Sequence, residues 1–528
     1  EDPQSFWAGR AYLYHAYSYH PSTRVLSEPV KVERGLSGGD TFEWRGVTIR
    51  CLAAPGPTSG GLVYIVDPPE GPVAFTGDLI AGPGKLWDLY SLQGPRALPD
   101  GGSLMEYHGF LERSADVLAS LRAALACHPR ALVPSHGSIM RDPAAALDEL
   151  DVNLRAVLQS YYRTSAGQWY FGGARKEWPA ETANLKTRCR PLPAWVIDTS
   201  GTTRVLVGED GAALVMDCAD QAPRVVGELL SAGSIRKVEA LWTTHYHDDH
   251  VGQVAKLVRE HGCELIAHGS MVDILRRPSA YHMPCVDPTP LRPDRVTHDG
   301  DTWTWRGITL TAYTFPGQTS FDAALLARKG EESVLFVGDS LTPGGIDDYC
   351  AYNRNLVGPG RGFDYCLDLL GKLSFSGLMV NPHVRGAFAF THAELRDLRS
   401  ELARRYAALR KLVAWDEPNF ALDHQWVRPY PYWQAAAPGG EVTWELHITN
   451  YASTPREATA TLRPPVGWTP LHGRASSEAA AGRTICLRLS ARQPKEAAGL
   501  HVATFDITLG DRLLPTFAEA VVECHPRT

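Results

Sequence analysis

The string Thr244-His245-Tyr246-His247-Asp248-Asp249-His250 gathers four side chains that can ligate a metal: His245, His247, Asp249 and His250. Clustered imidazole and carboxylate suit zinc, and also iron or manganese. The string follows the apolar run Val238-Glu239-Ala240-Leu241-Trp242 and precedes Val251 to Val258, which places it at a strand-to-helix turn. A polar surface turn carrying three histidines is the plain alternative. The flanking strand and helix, and further ligand types downstream, favour the metal. A zinc ion lowers the pKa of water from about 15.7 toward about 7, which makes hydrolysis the chemistry to expect. No GxSxG nucleophile motif occurs in this part of the chain. The bond cleaved is left open among ester, thioester, lactone, amide and phosphoester.

The elements that must position these residues are organised by a repeat. Residues 39–59 (GDTFEWRGVTIRCLAAPGPTS) and 300–320 (GDTWTWRGITLTAYTFPGQTS) align without a gap, 261 positions apart, with 11 of 21 residues identical. The match resumes at Gly77-Asp78 against Gly338-Asp339, and Pro134-Ser135-His136-Gly137 corresponds to Asn381-Pro382-His383-Val384. Helical patterns follow at 144–160 and 392–413. A repeat of this length reads as a duplicated domain. The counterpart of His245 would fall before residue 1, and His15 and His20 do not have the spacing to replace it. The first copy is therefore expected to lack its front half, and a chain that is a piece of a longer protein is the favoured explanation. A half-domain would leave one face of its sheet bare.

The wider pattern resembles the metallo-β-lactamase superfamily, whose HxHxDH signature HYHDDH matches, and in particular its glyoxalase II-like hydrolases. The resemblance covers roughly 190–415 and, incompletely, 1–160. It implies an α+β fold, an αββα sandwich in tandem. By that resemblance His245 and His247 would hold one metal, Asp249, His250 and His383 a second, and Asp339 would bridge the two. Asp249 and Asp339 would then be the catalytic carboxylates. Where the family has a histidine in PGHT, this chain has Pro316-Gly317-Gln318-Thr319. Gln318 offers only a neutral amide oxygen, a weaker zinc ligand than imidazole. Asp322, four residues on, could stand in for it, but reads first as an ordinary loop carboxylate. Pro57 occupies the same slot in the first copy and cannot ligate, so only Asp78 and His136 survive there. His282 lies in the loop PSAYHMPCVDP, where the family often places substrate contacts. His268 reads as a structural histidine. The segment from Gly345 to Asn355, after Asp339, is expected near the mouth of the site.

At 528 residues the chain is long enough for about three domains. The expected division is 1–165, an incomplete metallo-β-lactamase-like domain; 185–415, a complete one with the metal site; and 434–528. Residues 161–190 and 416–433 read as linkers. In the last part, runs at 442–448, 484–489 and 502–509 alternate or are β-branched between Gly/Pro/Asn/Asp turns. They predict a C-terminal immunoglobulin-like β-sandwich, of the kind appended to secreted bacterial hydrolases, and hence a secreted or periplasmic location. A net charge of −7 and the lack of a basic run argue against a nucleic-acid partner. No stretch approaches the roughly 20 apolar residues of a membrane span. The partner expected is a small-molecule substrate, and the cofactor one or two Zn²⁺, with iron or manganese as alternatives.

Ten cysteines occur without CxxC spacing; Cys51, Cys218, Cys263 and Cys486 read as buried apolar groups, and a Cys486–Cys524 disulfide is conceivable. Two other functions stay open. One is a binding or scaffolding protein with a decayed metal site. The other is a diiron-type oxidoreductase on the same fold, against which stand His247, where that class has glutamate, and the lack of a flavin domain.

Overall fold

The computed structural model describes residues 31–97, 103–105, 108–109, 111–171, 188–199, 201–350, 353 and 355–524. His15 and His20 lie outside the described residues.

A six-stranded sheet has the order Arg295–Thr297, Glu264–His268, Lys237–Trp242, Ala212–Met216, Arg204–Val207, Val196–Asp198. Its first four strands run parallel, and the last two are each paired antiparallel to the strand before them. Parallel neighbours need crossovers, and the helices Ala222–Ser231 and Val254–His261 are two of them. Every residue of Ala212–Met216 is buried, as befits an apolar strand covered on both faces.

Against it lies a five-stranded sheet: Thr302–Trp305, Ile308–Thr314, Ala323–Lys329, Glu332–Phe336, Met379–Val380. Alternation along these strands divides their side chains between two cores. Leu310, Leu325, Val334 and Phe336 pack with the six-stranded sheet. Leu326, Leu335 and Met379 pack with residues of the helices Gly362–Lys372 and His392–Leu412. The result is the expected αββα layering, in which each fully buried Leu or Phe contributes roughly 1.5–3 kcal/mol.

The earlier repeat segment forms a second five-stranded sheet with the same order: Thr41–Trp44, Val47–Ala53, Leu62–Val66, Val73–Gly77, Ala131–Pro134. The shared Trp-Arg-Gly has a physical cause. Trp44 pairs with Val47 and Trp305 with Ile308 across two-residue turns. Both turn residues have positive φ in each case (Arg45 51°, Gly46 79°; Arg306 46°, Gly307 81°), the conformation that closes a tight hairpin. The copies differ in what covers them. Phe75 is 42% exposed, whereas its counterpart Phe336, under the six-stranded sheet, is 2% exposed. Among the described residues the first copy has this five-stranded sheet and a two-stranded ladder, Pro95–Ala97 with Ser103–Met105, and the helices Ser114–Leu125 and Pro143–Thr164.

Helices Pro143–Thr164 and His392–Leu412 pack on each other. Between them Arg405 is buried, its guanidinium 3.7 Å from the Tyr161 ring centroid and its Nη1 2.5 Å from Asp348 Oδ2. Its other donors reach the Ser160 carbonyl and the Thr164 hydroxyl. An isolated buried charge is costly, so a guanidinium here requires this full set of partners.

The C-terminal part has two sheets, Val427–Tyr430, Glu441–Thr449, Thr484–Arg492, Thr469–His472 and Trp433–Ala436, Arg512–Cys524, Gly499–Leu509, Arg456–Arg463, Arg474–Ala479. Trp444, Leu446, Leu489, Leu462, Phe505 and Ile507 fill the space between them. Two expectations are corrected. Residues 416–433 are not a free linker: Phe420 and Trp426 are buried in this same core, and Val427–Tyr430 is a strand of the first sheet. Their aromatic content, read as irregular sequence, is core. Cys486 and Cys524 are both free and lie on strands of different sheets, Cys486 being exposed. Among the described residues no helix is long and apolar enough to cross a membrane.

Candidate metal centre

The site stands where several strands end together. Lys237–Trp242 and Ala212–Met216 are parallel, with Met216 opposite Trp242. Asp217 and the Thr244–His250 string therefore leave the sheet side by side, at the carboxyl ends where open α/β sheets bind ligands. Across the sandwich, Glu332–Phe336 and Met379–Val380 are also parallel, with Phe336 opposite Val380, so Asp339 and His383 emerge together. Gly338 makes this approach possible. Its φ is +54°, and a Cβ there would lie 3.0 Å from Thr244 Oγ1 and 3.4 Å from His245 Nδ1.

Asp339 Oδ2 is 3.9, 3.4 and 3.2 Å from the Nε2 atoms of His245, His250 and His383. Asp249 approaches His383 Nε2 at 3.2 Å and His250 Nε2 at 3.5 Å. The rings of His245 and His247 have centroids 4.5 Å apart, and those of His245 and His250 4.0 Å. Two groups of potential ligand atoms result, Asp249/His250/Asp339/His383 and His245/His247/Asp339, each with its atoms within 4.8 Å of one another.

The residues fit a metal. His245 Nε2, His250 Nε2 and Asp339 Oδ1 are buried and make no hydrogen bond among the described residues. Each such orphan costs about 1–3 kcal/mol, which coordination to a cation would remove. The charges point the same way. Burial, then the neighbouring His250 and His247, holds the His245 imidazole well below its usual pKa. Burial lowers His247 to about 4. For His383, burial is outweighed by Asp339 and Asp249, which lift it to about 10. The two carboxylates thus concentrate negative charge that favours a positive charge at this point.

Gln318 is also brought to the site, but with its amide nitrogen foremost: Nε2 lies 3.4 Å from Asp339 Oδ2 and 3.2 Å from Asp347 Oδ2. Two carboxylates facing one amide select its donor end. Asp322 is occupied elsewhere. It accepts from the Thr319 amide at 3.1 Å and the Ser340 hydroxyl at 3.1 Å, and burial raises its pKa to about 7. His282 is not placed beside these ligand groups; it stacks on Tyr432 at 4.1 Å and lines a cavity with Phe517 and Glu519, at the junction with the sandwich. His268 bonds to Ser270 through Nδ1. In the first copy Asp78 and His136 meet each other at 2.7 Å, both partly exposed, with Trp87 stacked on His136.

Sequence reasoning missed Asp217 and Tyr170, and placed Asp347 only within the segment expected near the mouth of the site. Asp217 is buried, holds Thr244 through its amide (2.8 Å) and hydroxyl (2.9 Å), and faces His250 Nδ1 at 3.2 Å. Its signal was its place at the end of the apolar run Ala212–Met216, visible only once the neighbouring strand is known. Asp347 is buried beside Gln318, its pKa pushed well up by burial and then by Asp339 and Asp348. Tyr170, from the short helix Gly167–Phe171, sets its ring edge-on to His383 with centroids 6.1 Å apart. No local pattern marked it. Part of the loop expected at the mouth of the site, Ala351, Tyr352 and Arg354, lies outside the described residues. Tyr349 of that loop is in van der Waals reach of Tyr170 and Phe171.

Residues 198–360 match the family described as the metallo-beta-lactamase superfamily. The hydroxyacylglutathione hydrolase of Aeromonas hydrophila is 29% identical over 140 residues, covering 26% of this chain and 46% of that protein. That of Xanthomonas campestris pv. campestris (strain B100) is 35% identical over 136 residues, covering 26% and 44%. The chain thus spans about half the length of the curated relatives it matches. A solved metallo-beta-lactamase with a HARLDQ motif from Cronobacter sakazakii aligns at 18% identity and a TM-score of 0.32, over 42% of this chain and 96% of that one.

Proposed function

We propose that the chain is a metal-dependent hydrolase of a small ester or thioester, taking as premise the match of residues 198–360 to the metallo-beta-lactamase superfamily. The observation that carries this reading is the convergence of Asp249, His250, Asp339 and His383 on one point, with unsatisfied ligand atoms buried among them. When bound there, zinc would supply a water whose pKa is lowered toward about 7 and polarisation of a carbonyl.

The protein's own groups do the rest. Asp249, His250, Asp339 and His383 hold the ion, with His245 and His247 available to a second. Asp217 fixes the plane of His250 from behind, as outer carboxylates do for ligating histidines. Asp249 is the most exposed carboxylate of the group, which suits it to take a proton from the attacking water. Gln318 ties Asp339 to Asp347 through its amide, so the His245/His247/Asp339 group is the poorer site and one ion per chain is expected. The thioester preference follows the name of the hydroxyacylglutathione hydrolases.

The test is metal analysis of the purified chain beside hydrolysis of hydroxyacylglutathione thioesters and simple aryl esters. His383→Ala should lose both the ion and turnover, because three protein ligands hold zinc far less firmly than four. Turnover that survives complete chelation would refute the reading. A chain that binds zinc but cleaves nothing would favour the scaffolding alternative.

A further inference from the structure

The connecting segment between the two copies reaches the metal centre and is tied down there. Where the helix Pro143–Thr164 ends, Ser165 bridges to Ile346, and the Ala166 amide donates to the Ile346 carbonyl at 2.5 Å. Ile346 belongs to the hairpin Leu341–Thr342/Gly345–Ile346, which lies between Asp339 and Asp347. Gly345 allows the approach: with φ +140°, a Cβ there would strike the Thr164 carbonyl oxygen at 1.9 Å. The next turn, held by the Tyr170 amide on the Ala166 carbonyl at 3.1 Å, carries Tyr170 to His383. Phe171 and Tyr349 pack around its ring.

A tyrosine used only for packing would turn its hydroxyl to water or to a fixed acceptor. Here the hydroxyl is buried; the Asn381 side chain approaches its oxygen as a donor, and among the described residues its O–H has no acceptor at hydrogen-bond geometry. The charged groups facing it are Asp339, Asp347 and Asp249. Asp339 and Asp249 are engaged with His383 and His250, and Asp347 with Gln318. Among the described residues the phenol is a neutral donor without an acceptor, beside a cluster of ligand atoms.

We propose that Tyr170 is a catalytic residue, whose hydroxyl donates a hydrogen bond to the carbonyl oxygen of the substrate as negative charge develops on it. The role rests on the hydrolase reading above. Water adds to the carbonyl carbon, the bond to the leaving group breaks, and the proton lost by water passes to that group. Tyr170 keeps its own proton throughout. The donor is pre-positioned, so it stabilises the transition state more than the bound substrate. It comes from outside residues 185–415, which makes the active site dependent on the segment joining the copies.

The zinc-loaded full chain and its Tyr170→Phe variant decide the matter, since phenylalanine keeps the ring and removes only the oxygen. Zinc content should be equal and KM within about threefold, while kcat falls about 10²–10³-fold, the usual effect of deleting one such donor. A second readout needs no turnover. Phenylboronic acid, whose hydrated form is a tetrahedral anion, should bind the parent at least about tenfold more tightly by calorimetry. Equal turnover or equal boronate affinity in the two proteins overturns the proposal, as does a parent that binds no boronate. If the parent cleaves no substrate while holding zinc, the hydrolase reading fails by itself, and the boronate comparison still judges Tyr170.

Discussion

Asp217→Asn tests whether the outer carboxylate matters as the geometry requires. Asp217 Oδ1 accepts from the Thr244 amide at 2.8 Å, and Oδ2 accepts from the Thr244 hydroxyl at 2.9 Å and faces His250 Nδ1 at 3.2 Å. Asparagine keeps the shape but has one acceptor oxygen. If that oxygen stays on the Thr244 amide, an NH₂ group faces His250 Nδ1; if it turns to His250, the Thr244 amide is left facing a donor. Either way one contact to a charged acceptor is lost, worth about 1.5–3 kcal/mol. At 1.4 kcal/mol per decade, zinc affinity should fall roughly 10–100-fold, the range typical of carboxylates behind ligating histidines. Competition with a chromogenic chelator measures it, with a thermal melt to establish that the variant is folded. A folded Asp217→Asn with parental zinc affinity would mean that Asp217 holds Thr244 alone and that His250 is oriented by something else.

Gln318→His should raise zinc from about one toward two ions per chain, because imidazole beside His245 and His247 completes a three-histidine group; unchanged stoichiometry in excess zinc would show that the slot is closed to an ion. Asp339→Asn should reduce hydrolysis by several orders of magnitude, while Asp78→Asn, on a half-exposed pair in the first copy, should leave kcat within a few-fold; the reverse outcome would move the chemistry to the other repeat. Stability should also depend on Asp322, whose folded pKa of about 7 lies above the unfolded value of about 3.9. The folded state then binds more protons between these values, so the contribution of Asp322 to stability is fully present below about 3.9 and is lost as pH rises through about 7, by up to about 4 kcal/mol. Denaturant titrations at pH 5 and 8 should show that fall in the parent and less of it in Asp322→Asn; identical slopes would refute the assignment.

Local pattern carried a large part of this protein. HYHDDH at a strand-to-helix turn was legible because ligand type, spacing and the periodicity of the flanking elements are all encoded within a few residues, whereas Asp339 and His383 were readable only through the resemblance to the metallo-β-lactamase pattern. The repeat was legible for a related reason: Trp-Arg-Gly closes a two-residue hairpin whose positive φ values restrict the sequence at both occurrences. The β-sandwich was readable from alternation, although its start was not, since aromatic residues at 416–433 look alike in a linker and in a core. What the tertiary structure alone decided is which side chains meet across sequence distance. Asp217 reaches Thr244 and His250 because two parallel strands share a register. Gln318 presents its amide nitrogen because Asp347, 29 residues away, faces it together with Asp339. His282 turns to the sandwich, and Tyr170 turns to His383, through packing that no short window of residues contains. A motif fixes the chemistry a chain can offer at one point, whereas the polar groups that tune that point arrive from wherever burial leaves them unpaired, and burial is a property of the whole fold.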